Sequence, residues 1–310
     1  MILILGTTAS GKGQLAFDLA EQIGAEIISI DSMKVYRRMD IGTAKPPKEA
    51  QKRVKYHLID VVQPCDQFSV GRFLELAYDA IKQIKSRNKP IIAVGGTALY
   101  IKALLYGLFD GPGSDSQIRE NLWELAKTES PERLWQQLKT VDPAAADRIH
   151  HNDSKRIIRA LEVYKISGEP ISNLQKQFSA ERTLHEWTIV GLRREKADVA
   201  GKINQRVRKM IADGLVDEVK SLLAQDRPLS QQARCAIGYA EIIDYLNNKT
   251  SLKDAIERIK VNTRRLAKSQ RTWFKTFRNV NWLDIEPEEP PEKILSRTKT
   301  LSKASNGELH

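Results

Sequence analysis

The stretch Gly6-Thr7-Thr8-Ala9-Ser10-Gly11-Lys12-Gly13 follows the pattern G-x-x-x-x-G-K-[ST] up to its last position, where glycine replaces the hydroxyl residue. In this pattern glycines let successive backbone N–H groups converge on an anion at a helix N-terminus. The lysine adds a point charge, and the final hydroxyl helps hold magnesium. Gly6 to Gly13 is thus a candidate phosphate cradle, with Ser10 a candidate hydroxyl for the metal. A nucleotide hydrolase also needs a strand-end carboxylate for magnesium. PIIAVGGT ends in glycines instead, and Asp60, after YHLI, keeps the hydrolase reading open. Asp31 ends AEIISIDS, the strand expected nearest the loop, where a carboxylate serves either as general base or as a turn cap.

These residues need elements to hold them. Ile2 to Leu5 is a short apolar run before a Gly-rich turn, the mark of a buried strand feeding a helix. Leu15, Leu19 and Ile23 give that helix one apolar face. AEIISIDS and YHLIDVV read as further strands, Phe68 to Ser86 as a helix, and PIIAVGGT as a buried strand before the helical ALYIKALLYGL. This alternation predicts an α/β fold: a parallel sheet flanked by helices, its site at the strand C-terminal ends. After the turn cluster DGPGSDS at 110–116 the pattern becomes all helical from Ile118 to Phe178, with a helix start at Asn152-Asp153-Ser154 and a stop at Gly168. WTIVGL returns to strand, helical patterns follow at 197–225 and 251–279, and VNWLDI is a last strand candidate. The expected organisation is a core over 1–112, an all-helical insertion over 113–186, a second core part over 187–286, and a disordered Pro- and charge-rich tail over 287–310.

Fifty Lys and Arg against thirty-nine Asp and Glu leave a formal charge of +11, which favours a polyanionic partner. From Lys260 to Arg278 there are seven basic residues and no acidic one, with Trp273, Phe274 and Phe277 interleaved. Such a stripe suits RNA phosphates, while its aromatics suit the core better than base stacking. Two cysteines, Cys65 and Cys235, and histidines without ligand spacing give no zinc or disulfide framework. No run approaches the roughly 20 apolar residues of a membrane span, so a cytoplasmic, soluble protein is expected.

DSMKVYRRMDIGTAKP at 31–46 packs Asp31, Ser32, Lys34 and Lys45 into one polar loop. With GTTASGK, AVGGTALYIKALLYG, RCAIGYAE at 234–241 and TRRLAKSQRTWF at 263–274, it resembles the bacterial tRNA dimethylallyltransferases (tRNA isopentenyltransferases) in order and spacing from Ile2 to about Asp284. The resemblance implies transfer of a dimethylallyl group from dimethylallyl diphosphate, with Mg2+, to the exocyclic amine of the adenosine 3′ of the anticodon. It implies that the cradle and Lys202 hold the diphosphate and that Asp31 is the general base, with Lys12 and Thr97 beside it in catalysis. It further implies that Asp31, Ser32, Met33, Lys34, Thr97, Arg119, Lys155, Arg156 and Arg159 bind tRNA at the anticodon stem-loop, in a monomer. Against each residue stands a structural role: Thr97 as a helix N-cap, and the basic insertion residues as a solvated face.

Four positions depart from the family pattern: Gly13, Lys202 for arginine, Ala240 in GYAE, and Ser269 in AKSQ. Each removes a hydroxyl, a bidentate fork or a charge from an anion site. The alternatives are therefore an isopentenyltransferase of free AMP, ADP or ATP, a tRNA-binding member with attenuated catalysis, and a P-loop kinase or NTPase.

Overall fold

The computed structural model describes residues 1–109, 111–175 and 183–305. They form two compact units, Met1–Leu105 with His185–His310, and Tyr106–Leu184. In the first, β1 (Ile2–Gly6), α1 (Lys12–Ile23), β2 (Glu26–Ile30), α2 (Lys48–Arg53), β3 (Tyr56–His57), α3 (Val70–Ser86), β4 (Ile91–Gly95) and α4 (Ala98–Tyr106) alternate as the apolar pattern requires. The third strand is shorter than YHLIDVV, because Leu58 and Asp60 take left-handed backbone conformations (φ 63° and 57°) that end it.

All pairings among the described strands are parallel, in the order β3-β2-β4-β1 followed by the later strands β5 (Thr188–Arg193) and β6 (Val280–Asp284). β4 therefore lies between β1 and β2, so Asp31 is not on the strand beside the cradle as the sequence suggests. Gly95 permits the close pairing on that side: a Cβ there would stand 2.0 Å from the Ile30 carbonyl oxygen. Strands β1, β2 and β4 are almost wholly buried, which is why they read as continuous aliphatic runs.

The insertion unit carries α5 (Ser116–Thr128), α6 (Pro131–Val141), α7 (Pro143–Ala146), α8 (Ser154–Ser167) and α9 (Ile171–Leu174). The side chains of Asp115, Ser130, Asp142 and Asp153 each cap one of these helices, and Gly168 ends α8 at φ 73°. Leu122, Leu134, Leu138, Ile157, Ile158 and Leu161 close its core. Asp110 and 176–182, the end of the helical pattern read to Phe178, lie outside the described residues.

After β5 come α10 (Lys196–Ala212), α11 (Leu215–Leu223), α12 (Gln231–Arg234), α13 (Tyr239–Leu246), α14 (Leu252–Phe274), β6 and α15 (Pro291–Ser305). Gly214, at φ 99°, splits the single helical pattern of 197–225 into α10 and α11. The tail expected to be disordered over 287–310 instead forms α15, while 306–310 lie outside the described residues. Ile294 and Leu295 are buried in the cluster that contains Leu15 and Leu19 of α1, and Arg297 pairs with Glu289 at 2.7 Å. Its Pro-rich start and charged surface masked that apolar face. Phe274 and Phe277 are buried against each other, with ring centroids 5.9 Å apart, and belong to the core.

At the start of β2, buried Glu26 accepts Arg87 through both carboxylate oxygens (2.9 and 2.8 Å) and meets His57 at 2.7 Å. Burial pushes this carboxyl up, but the hydrogen bonds from Arg87 and His57 outweigh it and hold it at about 2. A depressed acid stabilises the fold above its ordinary value and loses that contribution as pH falls from 4.5 towards about 2. Glu26→Gln is expected to cost about 2 kcal/mol in urea unfolding at pH 7. The gap from wild type should narrow steadily as the pH is lowered through that window.

Candidate active site

β1 delivers the cradle at its C-terminal end. Ala9 and Gly11 take left-handed conformations (φ 62° and 92°), and the Ser10 amide donates to the Thr7 carbonyl at 3.2 Å. Gly11 occupies the N-cap of α1 with no side-chain cap, and the first turn carries no acidic residue. The helix N-terminus thus keeps free amides and an unopposed positive dipole end, the requirement for an anion site. Gly6 is needed sterically: a Cβ there would stand 2.7 Å from Ser10 Oγ and 3.2 Å from the Leu192 carbonyl. The Ser10 hydroxyl is buried without a protein hydrogen-bond partner. Gly13, by contrast, has nothing within 4 Å of a Cβ, so a side chain fits there.

Cations surround this loop. Lys12 Nζ donates to the Thr7 carbonyl at 3.0 Å. Burial, then the charges of Lys34 and Arg206, push its ammonium down to about 7, and Asp31 offsets part of this. Burial also lowers Lys34 and Arg206 from their ordinary values. Arg206 Nη1 donates to Thr8 Oγ1 at 3.1 Å. Arg194 Nε donates to the Ser10 carbonyl at 3.0 Å while its Nη1 pairs with Asp198 at 2.9 Å. Lys202 Nζ stands 3.6 Å from that same carboxylate, one helical turn away. Lys202 and Arg206 stand one turn apart on α10; Arg206 reaches the loop, whereas Lys202 pairs with Asp198.

The acceptor side is built at the ends of β2 and β4. Asp31 Oδ1 accepts the amides of Met33 (2.8 Å) and Lys34 (3.2 Å), so the residue does cap the turn. Both bonds end on Oδ1, and Asp31 makes no ion pair among the described residues. Its second oxygen carries no hydrogen bond among the described residues. Thr97 Oγ1 accepts the Ser32 amide at 3.2 Å, while the Thr97 carbonyl begins α4 by accepting from Ile101 at 3.0 Å. The threonine thus ties the β4 end to the β2 loop as well as starting a helix.

The loop after Asp31 is anchored from α11. Glu218 accepts the amides of Asp40, Ile41 and Gly42 (2.8, 2.7 and 3.1 Å) and the Tyr239 hydroxyl at 2.6 Å. Gly42 lies under the Tyr239 ring, where a Cβ would meet it at 2.4 Å. Asp60, the carboxylate that left a hydrolase open, pairs with buried Lys45 at 2.6 Å and with Lys48 at 3.4 Å. It is engaged in holding this loop.

Within the insertion unit, Arg119 Nε and Arg159 Nη1 both contact fully buried Glu162, at 2.8 and 2.6 Å. Arg159 also donates to the carbonyls of Pro112 and Gly113 at 2.8 and 3.1 Å. Both arginines brace this unit while their side chains stay partly exposed. Lys155 is exposed, and exposed Arg156 pairs with Asp153 at 3.4 Å.

Sequence reasoning missed Gln270, Arg206, Arg194 and Glu218. Gln270, on α14, accepts the Thr8 amide at 2.8 Å and donates to the Gly96 carbonyl at 2.9 Å. Only its place in AKSQ hinted at it. Arg206, four residues beyond Lys202 on the same helix, was available from spacing alone.

A phosphate loop at the end of a central parallel strand, ringed by half-buried cations and facing a carboxylate turn, defines a P-loop α/β protein equipped for group transfer from a phosphorylated donor. The IPP transferase family model matches residues 34–277, and the chain belongs to that family. It is 45% identical over 284 residues to tRNA dimethylallyltransferase 2 of Geotalea uraniireducens, covering 92% of each chain. It is 43% identical to a tRNA dimethylallyltransferase of Geobacillus thermodenitrificans over 100% of this chain and 97% of that one. Among solved structures it resembles a tRNA isopentenylpyrophosphate transferase of Bacillus halodurans (TM-score 0.71, 36% identity, 100% of this chain and 99% of the other). It also resembles a eukaryotic dimethylallyltransferase that acts on tRNA (TM-score 0.77, 29% identity, 92% of this chain and 73% of the other).

An anion in the cradle favours protonated Lys12, so its binding raises a group that sits at about 7 in the free protein. Calorimetry of inorganic diphosphate binding at pH 7.5 in two buffers of different ionisation enthalpy, a pH chosen as about half a unit above that value, should show more proton uptake for wild type than for Lys12→Arg. The difference between the two proteins cancels the ligand's own titration. Equal uptake would remove Lys12 from the anion site.

Proposed function

We propose that the chain transfers the dimethylallyl group of dimethylallyl diphosphate to the exocyclic amine of the adenosine 3′ of the anticodon in tRNA. The observation that carries this reading is the pairing of a cationic cradle at the end of β1 with Asp31, a carboxylate without an ion pair among the described residues. Hydrolase chemistry would use a strand-end carboxylate to hold a metal, and Asp60, the candidate for that role, is instead paired with Lys45 and Lys48.

The adenine amine is a weak nucleophile because its lone pair is delocalised into the ring. As nitrogen bonds to the allylic carbon, the C–O bond breaks and its electrons pass to the departing diphosphate. Asp31 accepts the proton lost from the amine. The α1 amides, Lys12 and Arg206 stabilise the charge that builds on diphosphate, and burial of both cations strengthens that interaction. The adenosine leaves its stack to reach such a site, as substrates of base-modifying enzymes do. The magnesium that the family resemblance implies would fit here beside the diphosphate. The partnerless, buried Ser10 hydroxyl is the protein oxygen that would join it. When bound, the ion supplies further charge neutralisation on the leaving group.

The helical insertion, with Arg119, Lys155, Arg156 and Arg159, supports tRNA over free AMP, ADP or ATP as acceptor. Among the described residues no helix is long and apolar enough to cross a membrane. The test is incubation with dimethylallyl diphosphate, magnesium and either unmodified tRNA or AMP, followed by nuclease digestion and mass spectrometry. Prenylated adenosine is expected from tRNA alone, with the rate falling on the order of 10²–10⁴-fold in Asp31→Ala. Product from AMP, or full activity without Asp31, would overturn the reading.

The open space at Gly13 makes Gly13→Thr a gain-of-contact variant. One charge-assisted contact contributes about 1.5 kcal/mol, so kcat/KM for dimethylallyl diphosphate should rise about tenfold. An unchanged value would show that this chain fills the missing hydroxyl's role by other means.

A further inference from the structure

β1 and β4 run side by side with Leu5 opposite Gly95, and then part. β1 enters the diphosphate cradle, while β4 enters Gly96-Thr97. Past that point the two segments have no shared ladder, yet one buried side chain spans them. Gln270 Oε1 accepts the Thr8 amide at 2.8 Å and Nε2 donates to the Gly96 carbonyl at 2.9 Å. A primary amide has the donor and acceptor of a peptide unit, so Gln270 supplies the next rung where the sheet has ended.

The surroundings fit a rung of fixed length. Gln270 is 8% exposed. A Cβ on Gly96 would lie 2.5 Å from Gln270 Nε2, so the glycine is what lets Gln270 approach the β4 end, with Lys12 Nζ nearby. On the donor side Thr8 is also held by Arg206 through its hydroxyl. On the acceptor side the residue after Gly96 is Thr97, which holds the Ser32 amide next to Asp31.

We infer that Gln270 is a positioning residue that fixes the diphosphate cradle against the Thr97–Asp31 acceptor side. It touches neither the leaving group nor the proton in transit; it sets the spacing between them. In-line displacement depends on that spacing at the level of an ångström. The role rests on the transfer reading for its catalytic consequence, but the mechanical coupling itself does not.

The test uses Gln270→Met, which keeps the length of the side chain without charge but makes neither bond, and Gln270→Ala, which removes both bonds and the side chain. Amide hydrogen exchange is followed with and without inorganic diphosphate, alongside steady-state transfer to tRNA. In wild type, diphosphate is expected to slow exchange at 31–34 and 96–98 as well as in the cradle. In both variants diphosphate should still bind within about threefold of wild type, and cradle protection should persist. Protection at 31–34 and 96–98 should be lost. Transfer should fall about 100-fold in kcat with each KM within about threefold and the melting temperature within a few degrees. Retained acceptor-side protection, or a loss confined to the KM for dimethylallyl diphosphate, would overturn the inference. A variant that melts early and loses cradle protection too would assign Gln270 to stability alone. A wild type that shows the coupled protection but makes no prenylated adenosine would refute the transferase reading and leave the positioning role standing.

Discussion

Gly95 is bordered on both sides: Leu5 pairs with it from β1 and Ile30 from β2, and the Ile30 carbonyl comes so near that no Cβ fits. Much of the site depends on this three-strand registration. It brings the cradle, Gly96-Thr97 and Asp31 to the same end of the sheet, although they come from strands far apart in sequence. Inserting β4 between β1 and β2 also sets Asp31 away from the cradle by the width of a strand. A prenyl donor has its reactive carbon beyond its diphosphate, so a base one strand removed from the cradle is better placed for it than an adjacent one.

That arrangement shows which parts of the protein were legible. The cradle could be read because its glycines answer to local backbone demands, φ 92° at Gly11 and close packing at Gly6. Asp31 could be read as the end of a buried strand. Strand order could not, since an aliphatic run looks the same beside either neighbour; β4's place followed only from the structure. The residues missed share one feature. Gln270, Arg194 and Glu218 act on backbone atoms at sequence separations of 262, 184 and 178 residues, and no periodicity encodes such pairs. The tail failed differently. Its apolar residues are few and spaced among charges, so Ile294 and Leu295 gained significance only from the waiting face of α1.

The role of a carboxylate here is decided by what else reaches it. Asp60 and Asp40 both meet Lys45, whose side chain is nearly fully buried, and their charge is spent on holding the loop. Glu218 collects three amides and a tyrosine hydroxyl for the same purpose. Among the described residues Asp31 bonds to two backbone amides, both through one oxygen. Those bonds orient the carboxylate while leaving it able to accept a proton, a division of labour between its oxygens that a turn cap and a base can share.

The cations follow the opposite logic. Lys12, Lys34 and Arg206 are each held below their ordinary values mainly by burial, and Lys12 and Lys34 are lowered further by neighbouring positive charge. Concentrating them costs the free protein stability, and an arriving polyanion relieves that cost. The relief grows as charge shifts onto the leaving oxygen, so the same strain that weakens the empty fold favours the transition state over the bound donor. This bears on the departures at 13 and 202. Lys202 stands by Asp198, which Arg194 already neutralises, so its charge is partly absorbed before any ligand arrives. Gly13 lacks a hydroxyl but opens the loop mouth. Neither change touches Lys12, Lys34, Arg206 or Gln270.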